Sequence, residues 1–309
     1  MQNRPHKWRR RLKIAAITIV ALLLILIYGV VPFLFSRLIT SAGTRPMDRK
    51  LTETPADLGA TFTDVEFPAS DGVRISGWFL PSHGKNITIV YSHGLFRSRR
   101  ELLARAVDLW KLGYGALLYD SRNHGESGHA KTSLGYFERN DVEGAVSYLK
   151  GGPAAQDRIV LLGVSMGAVA DLLAAAETPA VAAVVSDSAY LSLDDTVAHH
   201  IKLFFHIPAF PLANELEYFI SRRAGFDAAK MSMVDAVTAI GDRPILFIAG
   251  ARDRRMPPDI AQKLRESARN PKSDLLIVDG AGTAVHGHSY LTEPTVYIER
   301  VAKFLDQIQ

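Results

Sequence analysis

The chain of 309 residues is long enough for one large domain or two small ones, and 48% hydrophobic with 22% charged residues is typical of a folded protein. Six basic residues and no acidic one lie within the first thirteen positions, so the formal net charge of +4 leaves −2 for the rest. This distribution argues against a nucleic-acid partner. The absence of cysteine excludes disulfide bonds, a thiolate zinc site and a cysteine nucleophile.

A long apolar segment follows the basic residues. Positions 14–35 carry no charge, and at about 1.5 Å per residue a helix of this length spans a hydrocarbon core of about 30 Å. The sequence therefore predicts a transmembrane helix over 14–35, preceded by a basic tail over 1–13. A cleaved signal peptide is the alternative, although its apolar region would be shorter and Thr40-Ser41-Ala42 is a weak match to a cleavage site.

The charges on either side of this segment predict its orientation. Basic residues are denser before the helix than after it, where Arg37, Arg45, Arg49 and Lys50 are spread among acidic residues. The positive-inside rule then places the N-terminus in the cytoplasm. A single-pass protein of this orientation carries everything after Phe35 on the extracytoplasmic side of the membrane.

Residues 36–59 contain glycine, proline and mixed charges without an apolar period, which is typical of a stalk. From about residue 60, short apolar runs alternate with helix-length segments, starting with two strand-like runs around an Asp71-Gly72 turn. The predicted strands are 61–68, 73–80, 86–92, 115–120, 158–163, 181–187, 244–249 and 274–278, and the predicted helices are 99–112, 136–150, 166–177, 257–268 and 293–307. This alternation predicts one α/β domain over 60–309, with a mostly parallel sheet, helices on both faces and an antiparallel start.

The alternation is interrupted over 189–241, where helical and aromatic stretches occur without a clear core strand. We expect a helical insertion over one end of the sheet. Its segment 199–212 is rich in aromatic and aliphatic side chains, which either pack the insertion onto the domain or form a lid whose apolar underside lines an acyl pocket. A lid of this kind favours medium or long acyl esters.

The most specific motif is Gly163-Val164-Ser165-Met166-Gly167, between a predicted strand and an alanine-rich helix. In this context the motif is typical of a nucleophile elbow, whose glycines permit the sharp turn that exposes the serine hydroxyl. Such a site expects an acid and then a histidine downstream. Asp253 follows the seventh predicted strand, and His286 and His288 follow the eighth. Asp187, at the end of the sixth strand, is a rival for the acid.

Five ordered motifs resemble those of α/β-hydrolase-fold serine hydrolases. Within that superfamily the chain is similar to the membrane-anchored branch related to BEM46 and to serine aminopeptidase S33-type domains, over about residues 60–307. The motifs are Ser92-His93-Gly94-Leu95, the stretch Tyr119-Asp120-Ser121-Arg122-Asn123-His124-Gly125-Glu126-Ser127, the Gly163–Gly167 elbow, the Gly250–Pro257 stretch around Asp253, and His286-Gly287-His288-Ser289-Tyr290.

The resemblance implies an α/β-hydrolase fold with a helical lid and an acyl-enzyme mechanism. The residues that it implies for catalysis are Ser165 as the nucleophile, Asp253 as the orienting acid, His286 as the base, and the backbone N–H groups of Leu95 and Met166 as the oxyanion hole.

The histidine departs from the pattern of the relatives. Many of them place it directly after Gly-Ala-Gly, whereas Thr283-Ala284-Val285 intervenes here, so His288 stays an alternative base. His93 and His124 belong to turns of the family pattern, and we interpret both as loop supports rather than proton-transfer groups.

These observations favour a membrane-tethered serine hydrolase that cleaves an ester, thioester or amide, with a small-molecule or lipid-like acyl substrate. An S33-type peptidase is the second hypothesis, and a catalytically silent binding module with a hydrolase fold is the third. The sequence contains no G-x-G-x-x-G or P-loop in strand–helix context and no histidine–acid set with metal-ligand spacing. We therefore expect no cofactor and no metal.

Overall fold

The computed structural model describes residues 4–308 and begins with a long apolar helix. Helix α1 (Arg4–Ile25) continues through a π-helical turn (Leu26–Val30) into helix α2 (Val31–Thr40). The stretch from Lys7 to Thr40 reaches a mean hydropathy of 3.0 over a window in which no residue is buried. A helix of this length and composition can cross a membrane, and a signal sequence has the same properties. Residues 1–3 of the predicted basic tail lie outside the described residues.

The segment predicted as a stalk packs on the domain. Helix α2 extends beyond the predicted end at Phe35, and Ser36, Thr40 and Asp48 are buried. Two short 3-10 turns follow, at Asp48–Lys50 and Pro55–Leu58. Residues 36–59 therefore differ from a free stalk, because much of their polar surface finds hydrogen-bond partners on the domain.

The described residues form one sheet of eight strands in the order β1-β2-β4-β3-β5-β6-β7-β8. The first two strands are antiparallel to each other, β2 is antiparallel to β4, and all later neighbours are parallel. The strands are β1 (Thr63–Pro68), β2 (Arg74–Leu80), β3 (Ile87–Ser92), β4 (Gly115–Tyr119), β5 (Arg158–Val164), β6 (Val181–Asp187), β7 (Ile245–Gly250) and β8 (Asp274–Val278). The predicted mostly parallel sheet with an antiparallel start is confirmed, and its strand ends agree to within two residues.

Helices cover both faces of the sheet. They are α3 (Leu103–Lys111), α4 (Glu138–Lys150), α5 (Met166–Glu177), α6 (Leu193–Phe205), α7 (Leu212–Ala224), α8 (Met233–Ile240), α9 (Pro258–Ser267), α10 (Ser289–Thr292) and α11 (Pro294–Asp306). Because strand side chains alternate between faces, Ile159 and Leu161 of β5 pack with α4, α5, α8 and α9, whereas Val160 and Leu162 pack with α3 and α11. Strands β2 to β7 are thus buried on both sides, as their continuous apolar runs predict, whereas the edge strands β1 and β8 are partly exposed.

The predicted insertion over 189–241 contains three helices with different roles. Helix α8 packs against α5 and leads into β7, so it belongs to the layer that covers the sheet. Helices α6 and α7 pack against each other, and α7 also packs against α2. We refer to α6 and α7 as the lid helices.

Candidate active site

Ser165 lies at the sharp turn between β5 and α5. Its backbone has φ 55° and ψ −117°, a conformation that non-glycine residues rarely adopt. The flanking Gly167 is required here, because a Cβ atom on it would overlap the backbone carbonyl of Ser92 at the end of β3. The Ser165 N–H donates to the carbonyl oxygen of Asp187 at 2.9 Å, which fixes the turn to the end of β6. The sequence thus folds into the strained elbow that the motif predicts.

The structure brings His286 and Asp253 to this serine. The Nε2 atom of His286 lies 2.9 Å from the Ser165 hydroxyl oxygen, and its Nδ1 atom lies 2.8 Å from Oδ2 of Asp253. The other carboxylate oxygen of Asp253 accepts the backbone N–H groups of Arg255 and Met256 at 2.9 and 2.8 Å. The Asp253 side chain has no solvent exposure, whereas the His286 side chain is 11% exposed. A hydroxyl, an imidazole and a carboxylate therefore form one hydrogen-bonded chain that opens to solvent at the serine end.

The three residues inserted before His286 are accommodated by a short turn. Ala284 is completely buried, and its carbonyl oxygen accepts the N–H of Arg252 at 3.0 Å. Gly250 permits this contact, because a Cβ atom there would overlap the Ala284 carbonyl. The insertion thus joins the histidine loop to the loop that carries Asp253. His288 is exposed next to α10, and within residues 4–308 the structure gives it no hydrogen bond to Ser165 or Asp253.

Two backbone N–H groups are available beside the serine. Within the described part of the chain, the N–H groups of Leu95 and Met166 have no hydrogen-bond acceptor. Gly94, which precedes Leu95, lies so close that a Cβ atom on it would be 3.7 Å from the Ser165 Cβ atom. An oxyanion that forms next to the Ser165 hydroxyl therefore lies close to the N–H groups of both Leu95 and Met166.

Comparisons with known proteins agree with this architecture. The serine aminopeptidase S33 family model matches residues 84–218, which include Ser165 but end before Asp253 and His286. The Pyrococcus furiosus esterase Pf2001 superposes with a TM-score of 0.71 and 28% sequence identity, over 86% of this chain and 98% of the esterase. The chain has the α/β-hydrolase fold.

Two bacterial relatives match most of the length of this hydrolase. The protein YqkD of Bacillus subtilis is 28% identical over 267 residues, which cover 84% of this chain and 86% of YqkD. The protein Rv2307c of Mycobacterium tuberculosis is 27% identical over 298 residues, which cover 94% of this chain and 95% of the relative.

Asp187, the alternative candidate for the orienting acid, stabilises the loops of the candidate active site. Its buried side chain faces Arg105 of α3, with Oδ2 3.4 Å from Nη1, and Oδ1 accepts the hydroxyl of Ser289 at 3.3 Å. Burial raises the pKa of Asp187, although the Arg105 charge opposes this shift. Asp187 thus ties the histidine loop, through Ser289, to the strand that also holds the Ser165 N–H. Sequence reasoning missed Arg105, whose only signal is a charge among the apolar positions of a helix.

His93 and His124 each bond to backbone groups through both ring nitrogens. The Nδ1 atom of His124 lies 2.9 Å from the carbonyl oxygen of Arg122, and its Nε2 atom accepts the N–H of Phe96 at 3.3 Å. Burial, reinforced by the neighbouring His93, lowers the pKa of His124 to about 3. His93 bonds in the same way, with Nδ1 at the Gly94 carbonyl oxygen and Nε2 accepting a backbone N–H. Both rings support the loop around Leu95, and neither contacts Ser165.

An apolar cavity of about 190 Å³ lies between the N-terminal helix and the lid helices. Ring contacts also join the N-terminal helix to the lid helices. The centroid distances are 5.9 Å for Phe33–Phe219 and 5.8 Å for Phe35–Phe205. Helix α6 also rests on the site, since the His199 ring lies 2.7 Å from the Arg254 carbonyl oxygen in the loop after Asp253. The cavity is lined by Ile27, Val31, Pro32 and Phe35 from the N-terminal helix and by Ile201, Phe205, Ile207, Leu212 and Leu216 from the lid helices and their connection.

Proposed function

We propose that this protein is a membrane-anchored serine hydrolase that cleaves an ester, thioester or amide through an acyl-enzyme. The observation that carries the proposal is the hydrogen-bonded chain from the Ser165 hydroxyl through His286 to the buried Asp253. The similarity to an esterase at 28% identity favours a carboxylic ester as the substrate. The S33 family match keeps a peptide bond as the alternative scissile group.

The geometry supports a two-step acyl transfer. His286 takes the proton of the Ser165 hydroxyl through Nε2 while the serine oxygen attacks the substrate carbonyl. Asp253 holds the proton on Nδ1 and stabilises the imidazolium that forms. The negative charge on the carbonyl oxygen is stabilised by the N–H groups of Leu95 and Met166, and His286 then protonates the leaving group. Water repeats the sequence on the acyl-enzyme and releases the acid.

The cavity between the N-terminal helix and the lid helices supports an apolar acyl group. Its lining contains no polar residue, so the cavity offers only apolar contacts to a ligand. One wall belongs to the helix that we assign to the membrane, so an acyl chain can reach the lid without crossing water. Phe204 of α6 and Phe210 of the connection to α7 are both exposed, which adds apolar surface to the insertion.

Membrane anchoring rests on the exposed apolar helix and the basic residues before it. We propose a single span with the N-terminus in the cytoplasm and the hydrolase domain on the extracytoplasmic side. Protease added to intact cells, after the outer barriers have been removed, then digests the domain. Protection of the domain until the membrane is lysed would reverse this orientation, and release of a shortened soluble protein would identify a signal peptide.

The hydrolysis of p-nitrophenyl acetate, octanoate and laurate by the detergent-solubilised full chain tests the proposed activity. We expect turnover that is lost in Ser165→Ala and a preference for the longer acyl groups. Leu216→Trp fills the cavity, and we expect it to lower kcat/KM for the laurate at least tenfold more than for the acetate. Tyr218→Trp, on the exposed side of the same helix, is the matched control. A strict preference for the acetate contradicts the acyl assignment, and turnover of an aminoacyl p-nitroanilide in place of the esters favours the S33-type peptidase.

A further inference from the structure

The segment that follows the apolar helix binds directly to the loop that carries Leu95. The N–H of Arg45 donates to the carbonyl oxygen of Phe96 at 2.9 Å, and the hydroxyl of Thr44 donates to the carbonyl oxygen of Arg97 at 2.8 Å. Both acceptors are backbone groups. The contacts therefore fix the path of the chain next to Leu95 and do not depend on a flexible side chain of the loop.

A chain of charges reinforces these contacts. The guanidinium of Arg97 binds the Asp48 carboxylate through Nη1, at 3.0 Å from Oδ2, and the Glu101 carboxylate through Nε at 2.9 Å. Glu101 in turn accepts the N–H of Gly94 at 2.7 Å. The side chains of Asp48 and Glu101 are only 9% and 10% exposed, so solvent screens these pairs weakly. Asp48 is thus connected through two ion pairs to the residue that precedes Leu95.

Leu95 is consequently held on both sides. Gly94 is fixed by Glu101, and the N–H of Phe96 is fixed by His124. The carbonyl oxygens of Phe96 and Arg97 accept hydrogen bonds from the Arg45 N–H and the Thr44 hydroxyl. Loss of the segment therefore releases one side of the loop while the elbow, the histidine and Asp253 keep their own contacts.

We propose that residues 44–48 position the oxyanion loop, with Thr44 and Asp48 as positioning residues for the acyl transfer; this inference rests on the proposed function of Ser165. Residues 44–48 then orient a loop of the active site and also connect the domain to the apolar helix. Because an oxyanion forms only during acyl transfer, a displaced Leu95 N–H lowers kcat and leaves substrate binding intact. A displacement of about 1 Å costs about a hundredfold in rate.

The test compares Asp48→Asn and Thr44→Val with the wild-type full chain on one p-nitrophenyl ester. Asp48→Asn keeps the shape of the side chain and removes its charge, and Thr44→Val replaces the hydroxyl, which also accepts the N–H of Gly125, with a methyl group. We expect kcat to fall about tenfold to a hundredfold in each variant, with KM changed less than twofold and a slower reaction of Ser165 with a fluorophosphonate. Asp48→Glu, which keeps the charge, is expected to restore part of kcat.

Asp57→Asn is the matched control. Asp57 lies in the same stretch 36–59 but outside residues 44–48, and among the described residues its carboxylate binds the half-buried Thr54 in a local turn. Wild-type kcat in Asp57→Asn, with losses in the other two variants and similar melting temperatures in all three, supports the proposal. Wild-type kcat in both Asp48→Asn and Thr44→Val overturns it, as does an equal loss in Asp57→Asn. Absence of turnover in the wild-type chain instead contradicts the proposed function, so the two failures are distinguishable.

Discussion

The substitution Asp253→Asn gives the sharpest test of how the base is oriented. The Oδ1 atom of Asp253 accepts two backbone N–H groups, from Arg255 and Met256. An asparagine keeps both bonds only if its carbonyl oxygen occupies that position, since the reverse orientation sets an amide N–H against two donors. Two lost hydrogen bonds cost about 1–3 kcal/mol. The amide nitrogen is therefore held where Oδ2 of Asp253 now faces His286.

This orientation reverses the tautomer of the base. The amide N–H donates to Nδ1 of His286, so the ring proton moves to Nε2 and points at the Ser165 hydroxyl. The Nε2 atom of His286 then carries a proton and has no lone pair with which to accept the proton of the Ser165 hydroxyl. We expect kcat to fall about 10⁴-fold with KM nearly unchanged, which corresponds to about 5 kcal/mol of transition-state stabilisation.

Asp187→Asn is the control, because it changes the same atoms at the end of the neighbouring strand. Its carboxylate faces Arg105, and the structure gives it no hydrogen bond to His286 within the described residues. The substitution leaves a buried guanidinium without its counter-charge, which costs about 3 kcal/mol and lowers the melting temperature by about 6–12 °C. The ring contacts of Arg105 with Tyr290 and Tyr297 remain. We expect kcat to stay within tenfold of wild type.

Steady-state kinetics on one ester and a thermal melt of each variant give both quantities. The reasoning is refuted if Asp253→Asn retains more than a tenth of the wild-type kcat. It is refuted equally if Asp187→Asn loses as much kcat as Asp253→Asn while both proteins remain folded at the assay temperature.

The remaining predictions concern the base, the elbow and a buried histidine. His286→Ala is expected to abolish ester turnover and His288→Ala to leave it within threefold of wild type; the reverse result assigns the base to His288. Gly167→Ala forces the elbow away from β3, so we expect at least a hundredfold lower kcat and a lower melting temperature. Burial keeps His124 neutral, so its pKa of about 3 lies below the ordinary 6.5. Its contribution to stability is therefore present above pH 6.5 and is lost as the pH falls. Between pH 7 and pH 5, urea unfolding should show the wild-type chain losing about 2 kcal/mol more free energy of unfolding than His124→Gln loses.

The sheet and the predicted site residues could be read from the sequence because their signals are local. Each strand is a short apolar run, and the elbow motif lies within five residues between a strand and a helix. Asp253 and His286 follow the ends of parallel strands, and such ends meet at one edge of a sheet. Chain order placed Asp253 and two histidines at this edge, and the resemblance to the family motifs selected His286. The structure brings His286 into hydrogen-bond contact with Ser165 and Asp253.

The supports of the site could not be read in this way, because they join distant parts of the chain. Arg97 and Asp48 are 49 positions apart, and Arg105 and Asp187 are 82 positions apart. No spacing rule predicts such a pair, and charges in a short proline-containing stretch such as 44–48 are typical of a solvated linker. The same holds for the cavity, since its walls come from the N-terminal helix and from the lid helices. Only the folded chain shows that these segments meet.

Labelling with a fluorophosphonate probe tests the central claim most directly. The probe reacts with a serine only where a base activates the hydroxyl and an oxyanion hole receives the phosphonyl oxygen. The measurement is the covalent adduct on the full chain in membranes, compared between the wild type and Ser165→Ala, with the modified residue located by peptide mass. We predict one adduct, on Ser165, that is absent from Ser165→Ala. An unlabelled wild-type protein, or equal labelling of Ser165→Ala, would contradict the assignment of a serine hydrolase.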